Sequence, residues 1–340
     1  MSPVQKIVWG CIDHEPDVND LSSHLNALAL LSKQPDKVVV IDNDGCQDVE
    51  NAVRDFLRTA PIDCEYVDGR PNRGFNSGFN TLLRRVIVSN EFEYFASMSV
   101  RARPNYQWLN SALNTMSKNE RAGAAATVQF SEEKQDIVYG TGHYYRDNGG
   151  LYSLGYGLRL PVLKEWFERS PGVHVWCPCS GAALYRIAPL KALCSCELWL
   201  DPHEFKSYNC NVLGFLLAEH GWEIAVAWDA ISIKDLENST STSPKTAALR
   251  FNQELCRIEQ LHAFWPDPER GNAIQKYLFD SRQAKIDSLD RRIIVTRAAG
   301  WHRARPFFKE AHDRLREHLR SSELYHAWSS LERRQTAQVI

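Results

Sequence analysis

KVVVIDNDG, residues 37 to 45, is the stretch that decides the fold. The four apolar positions after Lys37 run without a break and lead into Asp42, Asn43, Asp44 and Gly45. Alternating apolar and polar residues would mark a strand with one wet face. An unbroken β-branched run marks a strand covered on both faces, as inside a parallel sheet. The polar cluster behind it carries the residue types that turn a chain. Working outward, KIVWGCI (6–12), CEYVDG (64–69) and EYFASMSV (93–100) read as further short strands. Between them LSSHLNALALLSKQ (21–34), VENAVRDFLRTA (49–60) and FNTLLRRVIVSN (79–90) place apolar residues at helical spacing. This β-α-β-α-β-α-β alternation predicts an α/β fold, a mostly parallel three-layer Rossmann-like sheet with right-handed crossovers. Ligands of such sheets sit beyond the carboxyl ends of the strands. The positions to read are therefore Asp42 to Asp44, Asn72 to Asn80, and Ser97 to Ser99.

The remainder of the chain frames that core. Of 340 residues, 44% are hydrophobic and 24% charged, an ordinary globular balance. A net charge of -2 excludes a nucleic-acid partner read by charge over the whole chain. There is no apolar run of membrane-spanning length and no secretory leader pattern, which predicts a cytoplasmic protein. Nine cysteines, an odd number, argue against a disulfide framework. The pairs Cys177/Cys179 and Cys194/Cys196 are spaced more closely than zinc ligands usually are and read as small buried apolar residues. From 121 to 236 short strands mix with glycine-rich turns: VWCPCSGAALYR (175–186), the helical NVLGFLLAEHGW (211–222) and the strand-like EIAVAWDAISI (223–233). The polar stretch ENSTSTSPKT (237–246) reads as a linker, dividing a domain at 1–240 from a helical extension at 241–340.

The segment Asn72-Arg73-Gly74-Phe75-Asn76-Ser77-Gly78-Phe79-Asn80 carries the chemistry. Glycine allows the backbone to approach a ligand closely, asparagine amides can read base or ribose edges, and a following helix N-terminus suits an anion. The same composition also describes a turn held by local asparagine caps, and the residues alone leave both readings open. VVVIDNDG followed about thirty residues later by NRGFNSGFN resembles the rhamnosyltransferase-like members of glycosyltransferase family 2, whose pattern is D-N-x-S and then N-x-G-F-x-x-G-x-N. CSGAALYR (179–186) is similar to that family's S-G-A-x-x-L-x-R strand, LDPHEFKSY (200–208) to its F-D-E-x-F-F-x-Y segment, and Gly221-Trp222 to the pair ending the next helix. The resemblance spans about residues 5 to 236 and implies a GT-A fold and transfer, with inversion, of a sugar from a nucleoside-diphosphate sugar to a glycan or lipid-linked acceptor. It implies that Asp13, Asp42, Asn43, Asp44, Asn72, Gly74, Phe75, Gly78, Asn80, Ser97 and Ser99 line the nucleotide side of the cleft.

Three departures from the family pattern coincide. Ser99 stands where the family has the aspartate that holds a divalent metal, Asn209, Cys210 and Val212 stand at its acidic base positions, and its metal-binding histidine has Lys234 as the nearest candidate. Mg2+ or Mn2+ is left open as a cofactor, and no metal ligand is assigned. Arg101, Arg103 or Lys234 can take the cation's place as a phosphate clamp, and Asp201, His203 or Glu204 can serve as the base. The residues of that last cluster equally suit a helix start. A nucleotide-sugar-binding scaffold in polysaccharide assembly, with little or no turnover, is the competing expectation. Basic and aromatic residues from 282 to 334 suit peripheral contact with the inner face of a membrane. The interspersed acids favour the plainer alternative, a helical hairpin that packs on the core or forms a homodimer.

Overall fold

The computed structural model describes residues 5–13, 18–72, 74–145, 151–170, 175–179, 181–193, 213, 214, 217 and 220–234. The chain divides into two units; the first, Met1–Tyr144 with Ser153–Arg169 and Val175–Glu237, contains the large sheet. The expected division at residue 240 and the C-terminal helices lie outside the described residues.

The first half is the predicted alternation. In chain order it runs β1 (Ile7–Asp13), α1 (Val18–Ala29), β2 (Lys37–Asp42), α2 (Gln47–Thr59), β3 (Asp63–Asp68), α3 (Phe75–Ser89) and β4 (Tyr94–Met98). There follow β5 (Ala102–Pro104), α4 (Trp108–Lys118), β6 (Ala122–Ser131), β7 (Val138–Gly140), β8 (His143–Tyr145), β9 (Leu151–Ser153), α5 (Leu160–Glu168), β10 (Ala182–Arg186), α6 (Ile187–Ala192) and β11 (Glu223–Lys234). Eight strands of the large sheet lie in the order β3-β2-β1-β4-β10-β6-β11-β5, with β7 on β6; β8 and β9 pair apart from it. β3, β2, β1 and β4 are parallel, β10 is antiparallel between β4 and β6, and β11 returns parallel to β6. All seven residues of β1 and five of six in β2 are buried, as an unbroken apolar run requires.

Strand alternation sorts the helices into layers. Ile7, Trp9 and Cys11 of β1 join Val38 and Val40 of β2 in a core with Leu21, Leu25 and Leu28 of α1, Val49, Val53 and Phe56 of α2, and Trp108 and Met116 of α4. Trp9 and Trp108 meet edge-to-face at 4.9 Å between centroids. On the other face a side chain at Gly10 would strike Leu82 and Phe95 at 2.3 and 2.7 Å, so α3 packs flush against β1 there. Phe79 of α3 lies edge-on to Phe95, which stacks on Tyr185 of β10. The sheet is thus covered on both sides, and its carboxyl edge is left to the loops.

Candidate functional site

The parallel register brings three aspartates to one level. Asp13 pairs with Asp42 across β1 and β2, and Asp42 with Asp68 across β2 and β3, each the last residue of its strand. Asp13 and Asp42 are buried, at 1% and 0% exposure. The Asp42 carboxylate accepts four hydrogen bonds. One oxygen takes the backbone N–H groups of Asp44 and Gly45 at 3.0 and 2.9 Å, and the other takes the Cys46 N–H at 2.6 Å and the Tyr66 hydroxyl at 3.0 Å. That is about the full acceptor capacity of a carboxylate. Asp42 therefore closes the turn after β2 and places a negative charge at the N-terminus of α2. Burial, then the bond to Asp42, pushes the Tyr66 phenol well above its usual range. Among the described residues, Tyr66 and Asp68 are the parts of this tip that sequence reading passed over; the only signal was an Asp-Gly pair closing the third strand.

Asn43 is the wedge between two loops. Its amide donates to the Gly74 carbonyl at 3.3 Å, while its own N–H donates to the Asp13 carbonyl at 3.1 Å. A β-carbon on Gly69 or Gly78 would sit 3.0 or 2.9 Å from the Asn43 amide oxygen. Gly78 is thus needed for close approach, one turn into α3. We expect Gly78→Ala to cost about 1–2 kcal/mol, the typical penalty of overpacking, read as a lowered urea midpoint. An unchanged midpoint would mean that Asn43 is not held by this contact. Gly74, which caps α3, has φ of 86°, a region open to glycine at little cost. The Asn72 amide reaches Asp44 at 2.8 Å while its oxygen accepts from Gly74 N–H at 2.9 Å. Arg70 forks onto Asp68 and holds that exposed carboxyl down at about 2.

Of the other nucleotide-side candidates, Asn80 is buried at 3% exposure on α3, and half-buried Phe75 stacks on Phe79 at 5.8 Å. Ser97 pairs with Gly10 in the neighbouring strand, so the turn after β4 reaches the same edge as Asp13. The structure thus brings Asp13, Asp42, Asn43, Asp44, Asn72, Gly74 and Gly78 into one knitted tip. Asp201, His203 and Glu204 lie outside the described residues, as does Arg73.

The turn after β4 carries Ser99, the position at which the family resemblance implies a metal carboxylate. Ser99 donates its N–H to the Gly181 carbonyl, and its hydroxyl accepts from the Arg101 N–H at 3.3 Å. Arg101 pairs with Asp20 of α1 at 3.6 Å, Arg103 pairs with Glu132, and Lys234 sits opposite Ala102 in the β11–β5 ladder. A single hydroxyl tied into a turn is a poor donor set for a hard dication, which takes several oxygen ligands. Among the described residues no group of three His, Cys, Asp or Glu side chains converges to hold a metal ion. The residues described at this position do not fit one.

Compared by sequence, the chain matches no protein-family model and no curated protein. Compared by structure, it is similar to a mannosyltransferase of Pyrobaculum calidifontis, solved with GDP-Man and Mn2+: TM-score 0.55, 12% identity, 99% of this chain and 87% of that one. It is similar to residues 1–349 of TarS from S. aureus, with TM-score 0.53, 13% identity, and 98% and 92% of the two chains covered. A third likeness is to GalNAc-T7, solved with UDP, GalNAc and Mn2+: TM-score 0.52, 8% identity, 72% of this chain and 47% of that one. The chain has the GT-A fold of the glycosyltransferases, as its loop pattern led one to expect.

Proposed function

We propose that this protein is a glycosyltransferase that moves a sugar from a nucleoside-diphosphate sugar to a glycan or lipid-linked acceptor, with basic side chains in the place of a divalent cation. The observation that carries the reading is the knitted tip. Aligned strand ends, a capped turn and a glycine–asparagine loop are prebuilt at the edge where α/β sheets take their ligands. Rigid loops of this kind lower the entropy lost on binding. The likeness to proteins solved with GDP-Man or UDP supports the donor class.

Transfer requires a held nucleotide, a base for the acceptor hydroxyl, and charge stabilisation as the diphosphate leaves. Asp13, Asn72, Asn80, Ser97 and the backbone of the 42–45 turn are proposed to hold the nucleotide, with Asp42 organising that turn. Arg101 and Lys234 are proposed as the clamp on the departing diphosphate, a role for which fixed cations serve well in a water-poor site. Asp201, His203 or Glu204 is proposed as base: it accepts the acceptor proton as the hydroxyl attacks the anomeric carbon and the bond to the diphosphate breaks. Ser99, a turn residue here, also favours the second reading of a binding scaffold without turnover.

A thermal-shift series with UDP, GDP, dTDP and their sugars, with Mn2+ or with chelator, tests this. At a hundredfold excess over Kd, a ligand stabilises by about 2.7 kcal/mol. We expect one nucleoside diphosphate to raise the melting temperature by roughly 5–10 °C, equally well in chelator. A shift only with Mn2+ would overturn the cation-free clamp; no shift with any nucleotide would overturn the donor class. Binding without release of sugar to any acceptor would select the scaffold.

A further inference from the structure

We propose that Asp20 is a positioning residue that restrains Arg101 by competing with the ligand for its guanidinium. The proposal rests on the nucleotide-diphosphate reading above and names a regulator within it. Arg101 lies two residues beyond Ser99, at the carboxyl end of β4, next to the strand that ends in Asp13. Its backbone is pinned. Its N–H donates to the Ser99 hydroxyl, and the next residue, Ala102, donates its N–H to the Ser99 carbonyl. The Ala102 carbonyl in turn receives the buried His24 ring of α1. These bonds hold the backbone and leave the Arg101 side chain to its ion pair.

That side chain rests on Asp20, in the first turn of the same helix that carries His24. The nearest nitrogen–oxygen approach is 3.6 Å, with 28% of the arginine and 16% of the aspartate side chain exposed. This is an ion pair beyond hydrogen-bond length, unlike the bidentate fork that makes arginine–carboxylate pairs strong. Arg70 on Asp68 shows the forked form in this same protein. A guanidinium held by a slack contact can exchange its carboxylate for a diphosphate, which offers more oxygens and more charge. In the ligand-free protein Asp20 keeps Arg101 neutralised at the edge of the sheet. On binding, the arginine changes partner, and the Asp20 carboxylate remains in the first turn of α1, where the helix favours negative charge. Asp20 therefore weakens binding of the ligand that Arg101 serves.

The sign of this effect separates competition from a merely structural role. Calorimetric titration of the full chain with UDP and GDP, with inorganic pyrophosphate as a control for the diphosphate alone, gives the readout. Asp20→Asn is expected to tighten the nucleotide Kd by about three- to tenfold, since a partly exposed ion pair is worth roughly 1 kcal/mol. Arg101→Gln is expected to weaken it by about tenfold, and the double variant to match Arg101→Gln alone. Asp20→Ser, compatible with the start of a helix, repeats the test should the asparagine variant fail to fold. If Asp20→Asn weakens binding as Arg101→Gln does, or leaves it unchanged, the competition is overturned while the nucleotide reading stands. If the wild-type chain binds none of these nucleotides, the nucleotide reading falls and this proposal falls with it.

Discussion

Replacing Asp42 by alanine is expected to lower the melting temperature by on the order of 10 °C, far more than loss of one ligand contact would suggest. The substitution removes the acceptor of three consecutive backbone N–H groups and of the Tyr66 hydroxyl. An orphaned buried donor costs about 1–3 kcal/mol. Asp44 is exposed and Gly45 and Cys46 half-buried, so water refills part of the gap, and the net loss should be about 3–4 kcal/mol. Tyr66→Phe, which removes a single donor, should cost no more than about 1 kcal/mol. Asp42→Asn should fall between, because its amide oxygen still serves Asp44 and Gly45 while the amide nitrogen cannot accept. Urea midpoints of the three variants give the ranking. An Asp42→Ala midpoint close to wild type would show that the turn stands without its carboxylate. Asp42 would then be free for the direct base contact that the family resemblance implies.

The physical reason that the parallel half of the fold was legible lies in its strands. Lys37 to Asp42 has the same limits in the structure as in the sequence reading, and the runs at 6–12, 64–69 and 93–100 differ from β1, β3 and β4 only at their ends. Strands buried on both faces leave no polar alternation to confuse them with loops. The second half was harder. β6 is AGAAATVQFS, whose alanines favour helix in isolation, yet it lies between β10 and β11 with nine of its ten residues buried. There the tertiary setting overrides local preference. The helices α4 and α5 were not singled out, and β5 is three residues long, too short for any period to show.

The site was legible as composition but not as connectivity. Asn43, Asn72, Gly74 and Gly78 do meet, but what joins them is mutual: Asn43 to Gly74, Asn72 to Asp44, Gly78 under Asn43. A sequence announces that such residues will form a loop; it does not say whether their polar atoms face a ligand or one another. Likewise nothing in spacing ties Arg101 to Asp20, which lies eighty-one positions earlier and meets it only because α1 packs on β1 beside the turn after β4. The candidate base cluster at Asp201, His203 and Glu204 lies outside the described residues, so its role rests on the sequence pattern alone.

Acid should weaken this fold by about 3 kcal/mol between pH 6.5 and pH 4, through one buried histidine. His24 of α1 is fully buried. Its Nδ1 faces the Ala102 carbonyl at 2.5 Å, and a carbonyl can only accept, so that nitrogen carries the proton. Nε2 is then the acceptor, taking the Trp9 indole N–H at 3.1 Å and the Cys11 thiol at 3.3 Å. Burial pushes the Cys11 thiol upward, so it keeps the proton it donates. A second proton on His24 would set a buried cation against two donors. Burial accordingly brings the His24 value down from 6.5 to about 4, against a smaller upward pull from the Ala102 carbonyl. The folded form thus holds fewer protons than the unfolded chain between those two pH values. Stability is fully present above about 6.5, falls as pH drops through that window, and levels off below about 4 as the folded form protonates too. The drop from 6.5 to about 4 corresponds to about 3 kcal/mol. His24→Gln should lower stability at pH 7 yet flatten the profile from pH 6.5 to 4.5, because a neutral amide has no proton to gain. Urea midpoints of both proteins across that range decide the matter. Parallel profiles would mean that the acid sensitivity arises elsewhere, and that the neutral ring joining α1, β1 and the Ser99–Ala102 turn is not what acid attacks.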